Sequence, residues 1–424
     1  MEQQEKMLKD LGINLERHDI LMQTLGKLYG EVYLKQGNRP RAMEYFDFVV
    51  SEVHGLRIKE LLDHKTAGGK VVGTFCVYAP EEIITAANGV DVGLCGGAQF
   101  TVSDAEAVLP QNLCALIKSA VGFKLAKICP YFEAADFLVG ETTCDGKKKT
   151  WEILNDYKPV YVMSLPHKKD DAGRNMWRQE VRALAAKMEA QTNSKIDAET
   201  LRAQIRLINQ KRLALQRLYE TRKSSPTPIS GKDALLVSQI AFYDNPERFT
   251  AKTNELAAEC EQRVKKGEGV TITDMPRIMV SGCPMAVPNW KLHHILETSG
   301  ASVVVEETCT GTRYFTQPII PDTGKTKEEL LNAIADRYLA INCACFTPNE
   351  ERVEDILRLA REYWLRTIQP YIANRKLHDV ELSVADDAHS RLLQAKRQAE
   401  DWNRSKEGQQ SPVSAKALAE LAGG

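Results

Sequence analysis

Two segments far apart in this chain are built alike, and that likeness constrains the fold more than any other feature. Val71-Val72-Gly73-Thr74-Phe75 is a short β-branched and aromatic run that reads as a buried strand, and Cys76 follows it directly. Pro80-Glu81-Glu82 opens a helix, because proline suits the first helical position and acids are favoured at the positive end of the helix dipole. Asn88-Gly89, which tolerate left-handed backbone, close it, and Val90-Asp91-Val92-Gly93-Leu94 is the next strand. The same order returns in the second half. Residues 277–282 read as a strand followed by Cys283, Pro288-Asn289-Trp290 opens a helix that ends at Ser299-Gly300, and residues 301–305 form the next strand. Strand, helix and strand in that order make a βαβ unit and therefore a parallel sheet.

A tighter repeat lies inside this one. Glu141-Thr142-Thr143-Cys144-Asp145-Gly146 follows the apolar run Phe137-Leu138-Val139-Gly140, and Glu306-Glu307-Thr308-Cys309-Thr310-Gly311 follows Val303-Val304-Val305. The expected fold class is α/β: two Rossmann-like parallel-sheet domains with an N-terminal helical segment and a helical connector. The boundaries expected are 1–65 for the helical segment, where Leu21, Leu25 and Leu28 recur at helical spacing, and 66–166 for the first α/β domain. The connector is expected over 167–270, the second α/β domain over 271–374 and a polar tail over 375–424. Residues 167–223 carry 14 Lys and Arg against 7 Asp and Glu. A solvated helical face accounts for that excess, and a docking surface for an acidic partner is the sharper alternative.

Lys and Arg number 56 and Asp and Glu 57, so the chain lacks the global basic footprint of a nucleic-acid binder. No apolar run approaches the roughly 18 residues needed to span a bilayer. The opening Met1-Glu2-Gln3-Gln4-Glu5-Lys6 is not followed by a secretory apolar stretch, so a cytoplasmic protein with neither nucleic acid nor membrane as partner is expected.

In a reducing cytosol, the ten cysteines point to metal ligation or catalytic thiols rather than to disulfides. Cys76, Cys144, Cys283 and Cys309 each stand just after a predicted strand, where open parallel sheets bind ligands. Two domains facing each other would pool these thiols in one cleft. The Cys-x2–4-Cys turns of structural zinc sites are missing, since Cys343-Ala344-Cys345 is too closely spaced, and so are ferredoxin-type runs. A cluster held by dispersed thiolates is one reading. Burial as small core residues is the other; it is preferred for Cys260 and left open for Cys95 and Cys129. Gly324-Lys325-Thr326 has the end of a phosphate loop without its first glycine, so it reads as a turn before a helix beginning near Lys327, and no nucleotide site is expected. His293-His294 reads as an ordinary helical pair rather than as ligands.

Several of these stretches resemble a known family. Phe75-Cys76-Val77-Tyr78-Ala79-Pro80-Glu81-Glu82, Leu109-Pro110-Gln111-Asn112-Leu113-Cys114, Cys129-Pro130-Tyr131-Phe132, Gly140-Glu141-Thr142-Thr143-Cys144-Asp145-Gly146-Lys147-Lys148 and Glu306-Glu307-Thr308-Cys309-Thr310-Gly311-Thr312-Arg313-Tyr314-Phe315 are similar to the 2-hydroxyacyl-CoA dehydratase and benzoyl-CoA reductase family. The resemblance implies an oxygen-sensitive iron–sulfur enzyme of anaerobes. Its electrons arrive singly from a separate homodimeric activator that holds its own cluster and hydrolyses ATP. Within the family, one design pairs two related subunits, each with a [4Fe–4S] cluster. Another is a single chain that forms a homodimer with a double-cubane [8Fe–9S] cluster in each protomer.

A double cubane needs more thiolates, and the resemblance supplies candidates in both domains. They are Cys76, Cys114 and Cys144 in the first and Cys283, Cys309 and Cys343 in the second, with Cys345 as substitute for Cys343 or Cys283. The expectation is therefore a low-potential oxidoreductase that reduces small molecules at a double-cubane cluster. A (R)-2-hydroxyacyl-CoA dehydratase subunit with a [4Fe–4S] cluster is the alternative, and a non-catalytic electron carrier is a further one. After residue 363 the resemblance fails: Trp364-Leu365-Arg366-Thr367-Ile368-Gln369-Pro370 does not read as the family's further strand, and no cysteine follows Cys345. A different C-terminus and a change of reading frame both fit that departure.

Overall fold

The strands form where apolar and β-branched residues cluster. The computed structural model describes residues 2–272 and 275–372. Four strands, β1 (Lys70–Thr74), β2 (Gly89–Gly93), β3 (Phe137–Glu141) and β4 (Val160–Met163), make a parallel sheet in the order β2-β1-β3-β4. Two more, β5 (Arg277–Ser281) and β6 (Ser302–Glu307), make a second parallel sheet. β3 and β6 are buried along their whole length, as expected of parallel strands covered on both faces. Both sheets lie in one compact unit, Met1–Arg366. In the first sheet β2 and β3 flank β1 on opposite sides, so the topological switch falls between the carboxyl ends of β1 and β3.

The N-terminal segment is helical, as its leucine spacing predicts, with Leu21 and Leu25 buried on the helix Leu15–Tyr29. The connector is a set of long helices, Asp171–Thr192, Ala198–Thr221, Gly231–Ile240 and Pro246–Lys266. Its basic residues pair both with the rest of the chain and between its own helices. Arg202 donates to the Gly324 carbonyl at 3.0 Å, Arg206 pairs with Asp322, and Arg217 forks onto Glu261 at 2.6 and 2.8 Å. The second sheet is the smaller one among the described residues. Residues 364–370, which do not read as a strand, continue the helix Glu350–Ile372 instead. The polar tail expected over 375–424 lies outside the described residues.

Two buried carboxylates tie the first sheet to helices much later in the chain. On the helix Glu81–Ala86, Glu81 accepts from Lys211 and Tyr314, each at 2.6 Å, and Glu82 accepts from Arg212 at 2.6 Å and Tyr338 at 2.9 Å. The two acids read from sequence as helix-dipole residues are thus buried ion-pair partners, and their pairing offsets the cost of taking charge out of water.

Candidate functional site

Eight of the ten cysteines line a single cavity of about 420 Å³: Cys76, Cys95, Cys114, Cys144, Cys283, Cys309, Cys343 and Cys345. Five are delivered by strand ends, Cys76 after β1, Cys95 after β2, Cys144 after β3, Cys283 after β5 and Cys309 after β6. Cys114 immediately precedes the helix Ala115–Leu125. Cys343 and Cys345 stand in the loop between the helices Lys327–Leu339 and Glu350–Ile372. That loop is tied at both ends: the Tyr78 hydroxyl donates to the Ile341 carbonyl at 3.1 Å and the Thr347 N–H to the His167 carbonyl at 2.9 Å. All seven sequence candidates therefore meet at one wall, and Cys95 joins them. Cys129 lines a neighbouring cavity, and Cys260 is fully buried in the core.

Three cations share the wall, Lys147, Arg313 and Arg352. Lys147 pairs with Glu141, and Arg313 pairs with Glu307, on which its Nη2 closes at 2.8 Å. Burial opposes the Lys147 charge, but Glu141, with Cys76 and Cys95 behind it, holds the ammonium well above its ordinary pKa. Arg352 reaches Glu307 at 3.3 Å, while its buried Nε has no hydrogen-bond partner. Sequence reasoning missed these cations, although the repeat carried a signal for two of them: each block places a cation six residues after a glutamate. Arg352 has no such mark.

The thiols are already polarised. Cys76 and Cys309 hydrogen-bond to each other, which raises Cys76 and lowers Cys309, and the Arg313 guanidinium, 3.9 Å from the Cys309 sulfur, favours the thiolate further. In the second pair, the hydrogen bond from Cys345 brings Cys343 down to about 6, with Arg313 and Arg352 contributing, and Cys345 is pushed up. Cys144 caps the helix Asp145–Asn155, its sulfur accepting the Lys147 N–H at 3.4 Å. Burial raises Cys95 to about 12, and its thiol donates to the Phe75 carbonyl at 2.9 Å.

This donor set fits an anionic iron–sulfur cluster. Soft sulfur donors surround a void rather than one point, three cations share their wall, and an unpartnered Arg352 Nε–H remains to be satisfied. Among the described residues, no three Cys, His, Asp or Glu side chains converge on a single ion position. His293 is fully buried and bonded to Glu306 at 3.0 Å, away from the cysteines. Gly324-Lys325-Thr326 is the start of a helix: Thr326 and Glu329 form a capping box, and Glu329 accepts the N–H groups of Lys325 at 2.6 Å and Thr326 at 3.1 Å. Those amides are not free for phosphate. Thr326→Ala is expected to cost about 1 kcal/mol in urea denaturation, while calorimetry with ATP should give no binding heat before or after the change.

The chain is similar to known proteins of one family. The family described as 2-hydroxyglutaryl-CoA dehydratase, D-component, matches residues 76–367. The protein YjiM of Escherichia coli (strain K12), provisionally named a dehydratase subunit, is 38% identical over 315 residues, 74% of this chain and 80% of the relative. One subunit of the benzoyl-CoA reductase of Thauera aromatica is 25% identical over 56% of this chain and 61% of its own length. The beta subunit of the lactoyl-CoA dehydratase of Anaerotignum propionicum is also 25% identical, over 53% of this chain and 58% of its own. The family match covers more than half of the sequence and begins at the first cavity cysteine, and this chain belongs to the 2-hydroxyglutaryl-CoA dehydratase D-component family.

Proposed function

We propose that this protein is a low-potential iron–sulfur reductase of small molecules, working as a cytoplasmic homodimer and fed by a separate ATP-hydrolysing activator. One observation carries the reading: the cavity wall draws eight thiols, five of them from strand ends of the two sheets, more than the four that a single [4Fe–4S] cluster takes. That surplus favours a double-cubane [8Fe–9S] cluster. The ligands we propose are Cys76, Cys114, Cys144, Cys283, Cys309 and Cys343, with Cys345 able to replace Cys343 or Cys283. Such a cluster supplies one-electron transfer at low potential, tuned by charge, hydrogen bonds and solvent access. The chain does the rest. Lys147, Arg313 and Arg352 balance negative charge at the wall, and the tie from Tyr78 to Ile341 keeps the Cys343–Cys345 loop against β1.

The names of the relatives favour a second reading, a subunit of a (R)-2-hydroxyacyl-CoA dehydratase with a [4Fe–4S] cluster. Purified protein, activator and ATP separate the two: turnover of small unsaturated or inorganic compounds supports the reductase, turnover of an acyl-CoA the dehydratase, and neither a carrier. The chain alone should show no ATPase activity. Reduction in the presence of activator should slow several-fold in about 1 M salt, where the Debye length falls to about 3 Å, because opposite-charge docking is screened. The reversals Arg202→Glu, Arg206→Glu and Arg217→Glu should lower stability rather than docking, since these cations already bind groups of their own chain.

A further inference from the structure

A second cavity, of about 150 Å³, shares Phe75, Cys76, Cys95, Pro284 and Cys309 with the thiol-lined one. The remainder of its wall is of another character. Leu21, Leu25, Phe123, Tyr131 and Tyr243 contribute apolar and aromatic surface, and no Lys, Arg, Asp or Glu lines it among the described residues. Three of its polar side chains are engaged within the chain. The Tyr131 hydroxyl donates to the Val53 carbonyl at 2.7 Å. Gln239 donates to the Met285 carbonyl at 2.7 Å and accepts the Trp290 indole N–H at 2.9 Å. His54 shares a 3.0 Å hydrogen bond with His18, and burial, with His18 beside it, brings its pKa down to about 3, so the imidazole is neutral.

This wall sets two physical limits. A charged guest would find no counter-ion here, and an unpaired charge out of water is costly. An apolar cavity of about 150 Å³ is of the size that admits benzene or xenon, which leaves no room for a coenzyme A moiety.

We propose that this cavity is the seat of a small neutral molecule, no larger than about a benzene ring, held against the Cys76–Cys309 wall of the thiol cavity. The inference rests on reading that neighbouring cavity as the source of electrons, and it assigns the substrate a place and a chemical class.

Benzene binding followed by ligand-observed NMR, and xenon binding followed by ¹²⁹Xe exchange, test it on the full-length, anaerobically purified chain. Saturable binding of both is expected. Leu25→Phe, and independently Leu21→Phe, should plug the cavity and abolish that binding while iron content stays at the wild-type level, because neither residue borders the thiol cavity. No binding by the iron-loaded wild type, or unchanged binding in both plugged variants, would overturn the proposal, as would displacement of benzene by an acyl-CoA thioester. A chain that binds benzene but holds no iron sinks the electron-transfer reading and leaves the cavity assignment standing. A chain that is iron-loaded and reduced by its activator yet binds neither probe does the reverse.

Discussion

Replacing Cys309 with alanine is expected to strip at least about half of the iron from the anaerobically purified chain while leaving it folded. Cys309 sits at the carboxyl end of β6, is lowered by the neighbouring Cys76 thiol and has Arg313 at 3.9 Å, so its sulfur is the most strongly supported thiolate of the second sheet. Cys144→Ala should behave in the same way from the first sheet, where the sulfur sits at the start of the helix Asp145–Asn155. The control is Cys260→Ala. That thiol is fully buried on the helix Pro246–Lys266 and is not part of the cavity wall, and burial raises it to about 12. Its loss should lower stability slightly and leave the iron in place. Equal iron loss from Cys260→Ala and Cys144→Ala would show that the sorting of ligands from core thiols is wrong.

The second large effect concerns stability. Arg222 and Glu306 are both fully buried and meet in a two-pronged pair at 2.8 and 2.9 Å, with the Tyr219 hydroxyl on the same carboxylate at 2.7 Å and His293 at 3.0 Å. Arg222 caps the C-terminus of the connector helix Ala198–Thr221, and Glu306 comes from β6, two residues before the Thr308-Cys309 step. Arg222→Met should cost about 3–5 kcal/mol in urea denaturation, because it leaves a buried carboxylate without its cation. Arg222→Met combined with Glu306→Leu should recover a large part of that loss, since no charge is then stranded. A single variant as stable as the wild type would contradict the pairing.

The pH dependence has a definite sign. Burial alone would raise the Glu306 carboxyl, and Arg222 outweighs it, so its folded pKa lies well below the ordinary 4.5. The pair's contribution is therefore complete above about pH 4.5 and is lost progressively as the pH falls below it. Arg222→Met should lose that part of the acid sensitivity.

Much of this site could be read in advance because its main signal is local. A strand, then a cysteine, places a thiol at the carboxyl end of a parallel sheet, and repetition of the pattern in two halves placed Cys76, Cys144, Cys283 and Cys309. The β1, β3 and β6 runs were legible because parallel strands buried on both faces are continuous apolar stretches, and the less buried β2 and β5 were legible from their place in the repeated strand–helix–strand order. What was not legible depends on long-range contacts. Nothing in Pro80-Glu81-Glu82 shows that both acids are claimed by Lys211 and Arg212, more than a hundred residues on. Cys95 stayed open between core and cavity wall because its place depends on how β2 meets the rest of the fold. The Cys343–Cys345 loop reaches the wall through Tyr78, and Arg352 reaches it from the helix Glu350–Ile372; neither contact leaves a periodic trace. The basic excess of the connector, readable as a surface, is partly consumed in pairs with Asp322 and Glu261.

On the proposed reading, one cavity holds a cluster larger than a single cubane. Iron and acid-labile sulfide, measured per chain on protein purified without oxygen and paired with Mössbauer spectra, test it most directly. The account predicts about eight irons per chain with the spectrum of cubane-type iron. About four irons would contradict the double-cubane reading in favour of the dehydratase type, and zinc in place of iron, with no charge-transfer absorption, would contradict both.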